Sequence, residues 1–381
     1  MPLRSLRAVF MRGGTSKALM FRRADLPERQ EDWAPIFLAA MGTPDPNGRQ
    51  LDGMGGAISS LSKVCVIGPP THPQADVDYT FAQIGVDQAT VDYGANCGNM
   101  SSAVGPFAVD ERLVEVLPDG PATVSIHNTN TRKLIVARFG VEAGRAAVLG
   151  PLAIDGVAGT GAPIRLEFRD LAGARTGRLL PAGEPLHSLS LPGGRTVRAS
   201  LVDAANPCVF VAAADLGLIG NERPEHMESN AALMADLESL RRQASVLMKL
   251  SADVASAAAS RTVPFIGLVA PPQAWRTQSG IDRSADEADI AVRMLSSARP
   301  HRAIPITSAL CAAVACRTPG TLPAQLCRRG AGPLRIAHAS GTVLVEAEPD
   351  SRAGRVLHAS VYRTARRLFQ GEVMYLDPVQ A

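Results

Sequence analysis

The sequence predicts an α+β protein of two comparable halves, and three observations predict it. The chain has 381 residues, more than one hydrophobic core usually serves, so two or three domains are expected. Short β-rich runs at 63–67, 77–84, 123–127, 134–139, 201–202 and 342–345 are separated by glycine and proline turns. That pattern favours antiparallel sheets over repeated βαβ units. There is also an internal echo. A strand-like run at 89–93 leads through a turn into the apolar segment 103–109. A second strand-like run, Ala303-Ile304-Pro305-Ile306, leads into Thr307-Ser308-Ala309-Leu310-Cys311.

Helices are expected at 33–41, at 230–250, where apolar residues recur near helical spacing, and at 286–295. The stretch 156–194 is rich in Gly, Ala, Pro and Arg and holds the expected boundary, near 177–191. The domains are therefore drawn at 1–184 and 185–362, with 363–381 packing back on the first. Aromatics make up only 4% of the chain, so the cores must be built from aliphatic side chains. The net charge of +3 and the short pairs Arg328-Arg329 and Arg366-Arg367 give no track for nucleic acid. No apolar run approaches the roughly 18 residues of a membrane span, and the N-terminus lacks a signal-like apolar region. Cys65, Cys97, Cys208, Cys311, Cys316 and Cys327 form no CxxC pair, which argues against a disulfide framework or a zinc site, and no metal is expected. A reduced, cytoplasmic protein is expected.

Chemistry concentrates at Gly94-Ala95-Asn96-Cys97-Gly98-Asn99-Met100-Ser101-Ser102. A strand, a glycine turn and a helix opening on a cysteine are predicted there. The N–H groups of a first helical turn have no intrahelical acceptor and carry partial positive charge. Such a terminus favours a thiolate and seats a carboxylate or phosphate. The alternative is a buried structural cysteine, as most free cysteines are. Lysine usage bears on the choice. Only Lys17, Lys63, Lys133 and Lys249 are lysines among 39 basic residues, and a lysine amine, unlike a guanidinium, can act as a base. Two of them follow glycine and serine runs, Gly13-Gly14-Thr15-Ser16-Lys17 and 55–63, whose donors can converge on an anion.

Met11-Arg12-Gly13-Gly14-Thr15-Ser16-Lys17, Asp52-Gly53-Met54-Gly55-Gly56, Ser62-Lys63 and the run 94–108 resemble the PrpF family. So do Ile126-His127-Asn128-Thr129-Asn130-Thr131, Asn206-Pro207-Cys208-Val209-Phe210-Val211, Pro300-His301-Arg302-Ala303 with Thr307, and Thr364-Ala365-Arg366-Arg367 with Gly371-Glu372. The resemblance spans the whole chain. It implies two pseudo-symmetric diaminopimelate-epimerase-like domains, each of antiparallel strands wrapped around a central helix, with the active site in the cleft between them. It also implies double-bond migration in a small di- or tricarboxylate, such as 4-oxalomesaconate, 2-methylaconitate, aconitate or methylitaconate, without a cofactor. By motif match the catalytic pair falls on Lys63 and Cys97.

Substrate-binding candidates are Arg12, Ser16 and Lys17 from the first loop, Ser60 and Ser62 from the second, and Asn96, Gly98, Asn99 and Met100 at the helix start. His301, Arg302, Thr307 and Ser308 are added from the second half, where Thr307-Ser308 reads as a helix cap. A salt bridge is an equal reading of Arg302, and structural hydrogen bonding is the first reading of His127 and His301. Fold relatives that racemise amino acids use two cysteines, one per domain. Here the second helix opens on Thr307 and Ser308, with Cys311 a turn inside, so one thiol and one amine remain, suited to moving a proton between two carbons. Either could be the base. A Rossmann dehydrogenase and a P-loop NTPase fail on incomplete motifs. A Cys-His hydrolase and a tricarboxylate-binding accessory protein remain as alternatives. The oligomeric state stays open, with a homodimer as one reading.

Overall fold

The computed structural model describes residues 2–94, 97–169, 171–259, 263–296, 299–328, 330, 332–350 and 355–377. It divides into two compact units, Met1–Glu167 with Tyr362–Ala381, and Phe168–Val361.

In the first unit a hairpin joins β1 (Leu3–Gly13) to β2 (Ser16–Arg22), and helix α1 (Trp33–Met41) follows. Trp33, Ile36, Phe37, Ala40 and Met41 are its buried residues, the i, i+3, i+4, i+7, i+8 stripe of a helix lying on a sheet. Then come β3 (Lys63–Gly68), β4 (Val77–Ile84), the short β5 (Val91–Asp92), helix α2 (Gly98–Asp110), β6 (Gly120–Asn128) and β7 (Lys133–Glu142). The pairings run β7–β6 antiparallel, β6–β4 parallel, β4–β3 antiparallel, β3–β2 parallel and β2–β1 antiparallel. The strand Ala365–Leu376 closes the order, antiparallel to β1. Alternation of side chains divides this sheet cleanly. Ala8, Phe10, Leu19, Phe21, Val64, Val66, Ala82 and Ile84 pack with α1. The opposite face meets α2, which is buried at every position from Met100 to Val109 and touches β1, β2, β3, β6 and β7. A helix apolar all round is a core helix.

The second unit repeats this plan. His187–Ser190, Thr196–Ala204, Asn206–Ala212, Phe265–Ala270, Ile290–Ser296, Leu334–His338 and Gly341–Asp350 are its main strands. Their pairings read antiparallel, antiparallel, parallel, antiparallel, parallel, antiparallel. The first unit, read from Ala365–Leu376 to β7, has the same sequence of pairings. The helix Ala231–Leu247 stands where α1 does, and Ile306–Arg317, buried from Ser308 to Cys316, stands where α2 does. Both sheets are mixed, not purely antiparallel as expected, because each long helical crossover returns the chain parallel to an earlier strand.

The segment 286–295 forms a strand preceded by a single turn, not the expected helix. Ile290 to Leu295 are buried whichever way they point, so the strand's two-residue period is masked. The expected strand at 303–306 is also absent, and 89–93 reduces to Val91–Asp92.

Candidate active site

Cys97 caps α2. Its backbone is extended (φ −104°, ψ 98°) and its carbonyl accepts from the Ser101 N–H at 3.0 Å and the Ser101 hydroxyl at 3.1 Å. The thiol makes no capping bond and faces Ser16 Oγ at 4.0 Å. Gly98, Asn99 and Met100 supply the first turn, whose N–H groups have no acceptor within the helix. Asn96 lies outside the described residues.

The hairpin tip presses on this turn. A Cβ on Gly13 would stand 2.7 Å from the Asn99 carbonyl oxygen, and one on Gly14, at φ 52°, would stand 2.2 Å from Asn99 Oδ1. Only glycine permits that approach. The Asn99 amide is engaged at both ends: Nδ2 donates to Thr15 Oγ1 at 3.1 Å, and Oδ1 accepts from Arg363 Nε at 3.2 Å. Arg12 stiffens the same turn, its Nη1 donating to the Gly14 and Thr364 carbonyls at 2.9 Å each. Burial, with Arg366 nearby, holds its guanidinium below the usual range. Lys17 pairs with Arg12 and so lies on the face opposite Ser16, its Nζ 5.5 Å from the Phe10 ring centroid.

Lys63 opens β3 on the α2 side of the sheet and is only 7% exposed. Its register partner is Gln83, whose Oε1 accepts from Lys63 Nζ at 2.5 Å. Gln83 Nε2 donates to the Ser62 and Ser59 carbonyls at 2.9 and 3.0 Å, which fixes the amide with its oxygen toward the lysine. The amine also lies 5.1 Å from the Phe81 ring centroid. Among the described residues no carboxylate pairs with it. Cys65, two residues on and on the same face, sits between the two candidates. Burial pushes its thiol far up; Cys97 adds to that, while Tyr79 and Lys63 oppose it. Its Sγ is 3.8 Å from the Tyr79 hydroxyl, which in turn bonds to Ser101.

The second loop departs from expectation. Ser62 is fully buried and donates to Gln50 Oε1 at 2.6 Å and the Ile58 carbonyl at 3.0 Å, so its hydroxyl is structural. Gly53 exists for packing, since a Cβ there would sit 2.1 Å from Gly42 N. The loop's glycines and Ser62 thus serve the junction with α1 and do not converge on an anion. Ser60 is half-buried in the single turn Ser59–Leu61.

In the second unit, His301 stacks on Phe265 with centroids 5.9 Å apart, and burial lowers its pKa. Arg302 forms an exposed ion pair with Glu225 at 3.4 Å. The cap of Ile306–Arg317 is Pro305, so Thr307 and Ser308 lie inside the first turn and neither is the cap expected. The Ser308 hydroxyl is buried with no hydrogen-bond partner among the described residues. Cys311 is buried, its Sγ 3.5 Å from the Val202 carbonyl. His127 Nδ1 is 2.9 Å from Asp78 Oδ1, a tie between β6 and β4.

Sequence reasoning missed Gln83, Tyr79 and Arg363. Gln83 could be found only by counting register across the β3–β4 pair. Arg363 directly precedes the Thr364-Ala365-Arg366-Arg367 run, but nothing local marks it.

Comparison with known proteins gives the class. A 3-methylitaconate isomerase of Eubacterium barkeri is 42% identical over 370 residues, covering 96% of each chain. A (4E)-oxalomesaconate Delta-isomerase of Novosphingobium sp. strain KA1 is 40% identical over 368 residues, again 96% of each. The crystal structure of a methylitaconate-delta-isomerase superposes with a TM-score of 0.90 at 40% identity, over 98% of this chain and 96% of that one. The chain is an isomerase with the fold those relatives share. It belongs to the PrpF family, whose model, described as PrpF protein, matches residues 4–376. Among the described residues no helix is long and apolar enough to cross a membrane.

Proposed function

We propose that the protein catalyses a 1,3-allylic proton shift in a small di- or tricarboxylate, with Lys63 and Cys97 as the acid/base pair and no cofactor. A carboxylate acidifies the C–H bond beside it. One member of the pair takes that proton, and the electron pair spreads across the three-carbon unit into the carboxylate. The other member returns a proton to the far carbon. One C–H bond breaks, one forms, and the double bond moves by one position. The N–H groups of Gly98, Asn99 and Met100 offer a carboxylate seat beside the thiol and stabilise developing charge. The Ser16 hydroxyl faces the thiol at 4.0 Å.

The observation that carries this reading is Lys63: a buried amine whose hydrogen-bond partner is a neutral amide, on the sheet face that meets α2. Structural lysines are solvated or ion-paired, and this one is neither. The names of the relatives point to unsaturated acids of the methylitaconate and oxalomesaconate kind as substrates. Six unpaired cysteines favour the cytoplasm as the site of action.

Proton NMR in D₂O against 3-methylitaconate, 4-oxalomesaconate, 2-methylaconitate and aconitate tests the reading. Deuterium should enter one acid as its double bond moves, and Lys63→Met or Cys97→Ala should abolish the exchange. Normal exchange in both variants would sink the acid/base assignment.

A further inference from the structure

The hairpin tip and the start of α2 share a cation that this reading has not used. Arg363 Nε donates to Asn99 Oδ1 at 3.2 Å and its Nη1 to the Tyr362 carbonyl at 2.9 Å. Its stem packs on the tip, where a Cβ on Gly14 would stand 3.2 Å from Arg363 Cδ. Among the described residues its Nη2 has no hydrogen-bond partner, and no carboxylate pairs with it. The residue is half-buried, and desolvation with no opposite charge beside it brings its guanidinium down to about 10.

Other deeply set arginines are held by carboxylates or, in one case, by carbonyls alone. Arg241 meets Glu238 at 2.7 Å, and Arg367 meets Asp110 and Glu111 at 3.3 and 2.8 Å. Arg293, held by the carbonyls of Glu222, Val292 and Ala337, is also brought down to about 10, but at 3% exposed it offers no open edge to a ligand. A half-buried cation with no carboxylate beside it keeps an open edge for an anion. At Arg363 that edge lies by the turn that also carries Cys97, beside N–H groups that themselves favour an anion.

We propose that Arg363 is the anchor for one carboxylate of the substrate, held between its guanidinium and the first turn of α2, and that Asn99 positions it. The inference rests on the isomerase reading for the substrate's identity. It assigns Asn99 a supporting role, since both ends of its amide are already engaged. An arginine fork reads a carboxylate by two parallel hydrogen bonds, so the anchor would select polycarboxylates over acids lacking that group.

The test is a binding cycle by calorimetry, alongside turnover. Wild type, Arg363→Met and Arg363→Lys are each titrated with the saturated tricarboxylate tricarballylate and with its monoamides, after circular dichroism confirms folding. Wild type should lose about 100-fold in affinity on one monoamide, and Arg363→Met about 100-fold on the tricarboxylate. Combining the two should cost no more than either alone, and Arg363→Lys should recover part of the loss. Equal, additive losses on acid and monoamides would overturn the anchor and leave a structural role. Tight binding with this non-additivity, but no isomerisation of any acid, would sink the isomerase reading and keep the anchor. No binding and no turnover would remove both.

Discussion

The two units share one topology and differ in what stands at equivalent positions. The strand that opens on Lys63 in the first opens on Phe265 in the second. The helix capped by Cys97 has a counterpart capped by Pro305. The Gly13-Gly14 tip corresponds to a tip at Ala205, also left-handed at φ 61°. Cations differ most. In the second unit Arg302 has a carboxylate and Arg293 three carbonyls. In the first, Lys63 and Arg363 rest on neutral amides. On the proposed reading the first helix start is the anion site and the second is architecture, and the difference lies in a few side chains on an unchanged scaffold.

The sharpest way to break this comparison is to make the first unit resemble the second. Lys63→Met and Cys97→Ala should each lower kcat by 10³-fold or more while leaving the unfolding transition in place, because in the proposed mechanism each removes a proton-transfer group outright. Steady-state kinetics with thermal melts separates the two effects. Next in size is Gly14→Ala. The added methyl meets Asn99 Oδ1 at 2.2 Å at a positive φ, so the tip must move away from the first turn of α2. Displacements near 1 Å at a reacting centre cost about 100-fold. The kcat should fall by that order, with a melting temperature only a few degrees lower.

How far the sequence foretold all this follows the range of the interactions. The strands and α1 were legible because their periodicity is local, as at Trp33, Ile36, Phe37 and Ala40. The helix start at Cys97 was legible because a glycine turn and a helix start are written in consecutive residues; lysine scarcity drew attention to Lys17 and Lys63 alike, and only the family resemblance separated them. The strand Ile290–Ser296 was misread because burial on both faces removes alternation. Ser62 was misassigned because its partner, Gln50, is twelve residues away across a loop. Arg363 and Asn99 are 264 positions apart. No local pattern joins them, and only the return of the C-terminal strand to β1 does.

Gln83→Glu would sharpen the assignment within the pair. A carboxylate in contact with the Lys63 amine favours its ammonium form. If Lys63 is the base, activity near neutral pH should fall about tenfold, and the lower limb of the pH–rate profile should move up by about 1–3 units. If Lys63 is the acid and Cys97 the base, that limb should stay in place. A profile in D₂O exchange, run on the acid that isomerises, distinguishes them.

The second unit predicts smaller effects, on stability. Burial holds the folded pKa of His301 below its unfolded value of about 6.5. Its contribution is therefore complete above that pH and is lost as pH falls through the unfolded value toward the folded one. Denaturant melts between pH 7.5 and 5 should show wild type losing stability on the acid side and His301→Gln losing less. Equal acid sensitivity in the two proteins would remove His301 as the source.

Ser308→Ala should change least, and is informative for that reason. The hydroxyl is fully buried and unpartnered among the described residues, so removing it relieves a desolvated donor instead of breaking a bond. The melting temperature should hold or rise slightly. If the start of Ile306–Arg317 also grips substrate, KM should rise several-fold against that unchanged stability. An unchanged KM would make this helix start architecture alone and leave the anion chemistry to the first unit. The pairing of a neutral stability effect with a measurable KM effect is one that a structural serine cannot produce, because a structural hydroxyl shows itself first in the melt.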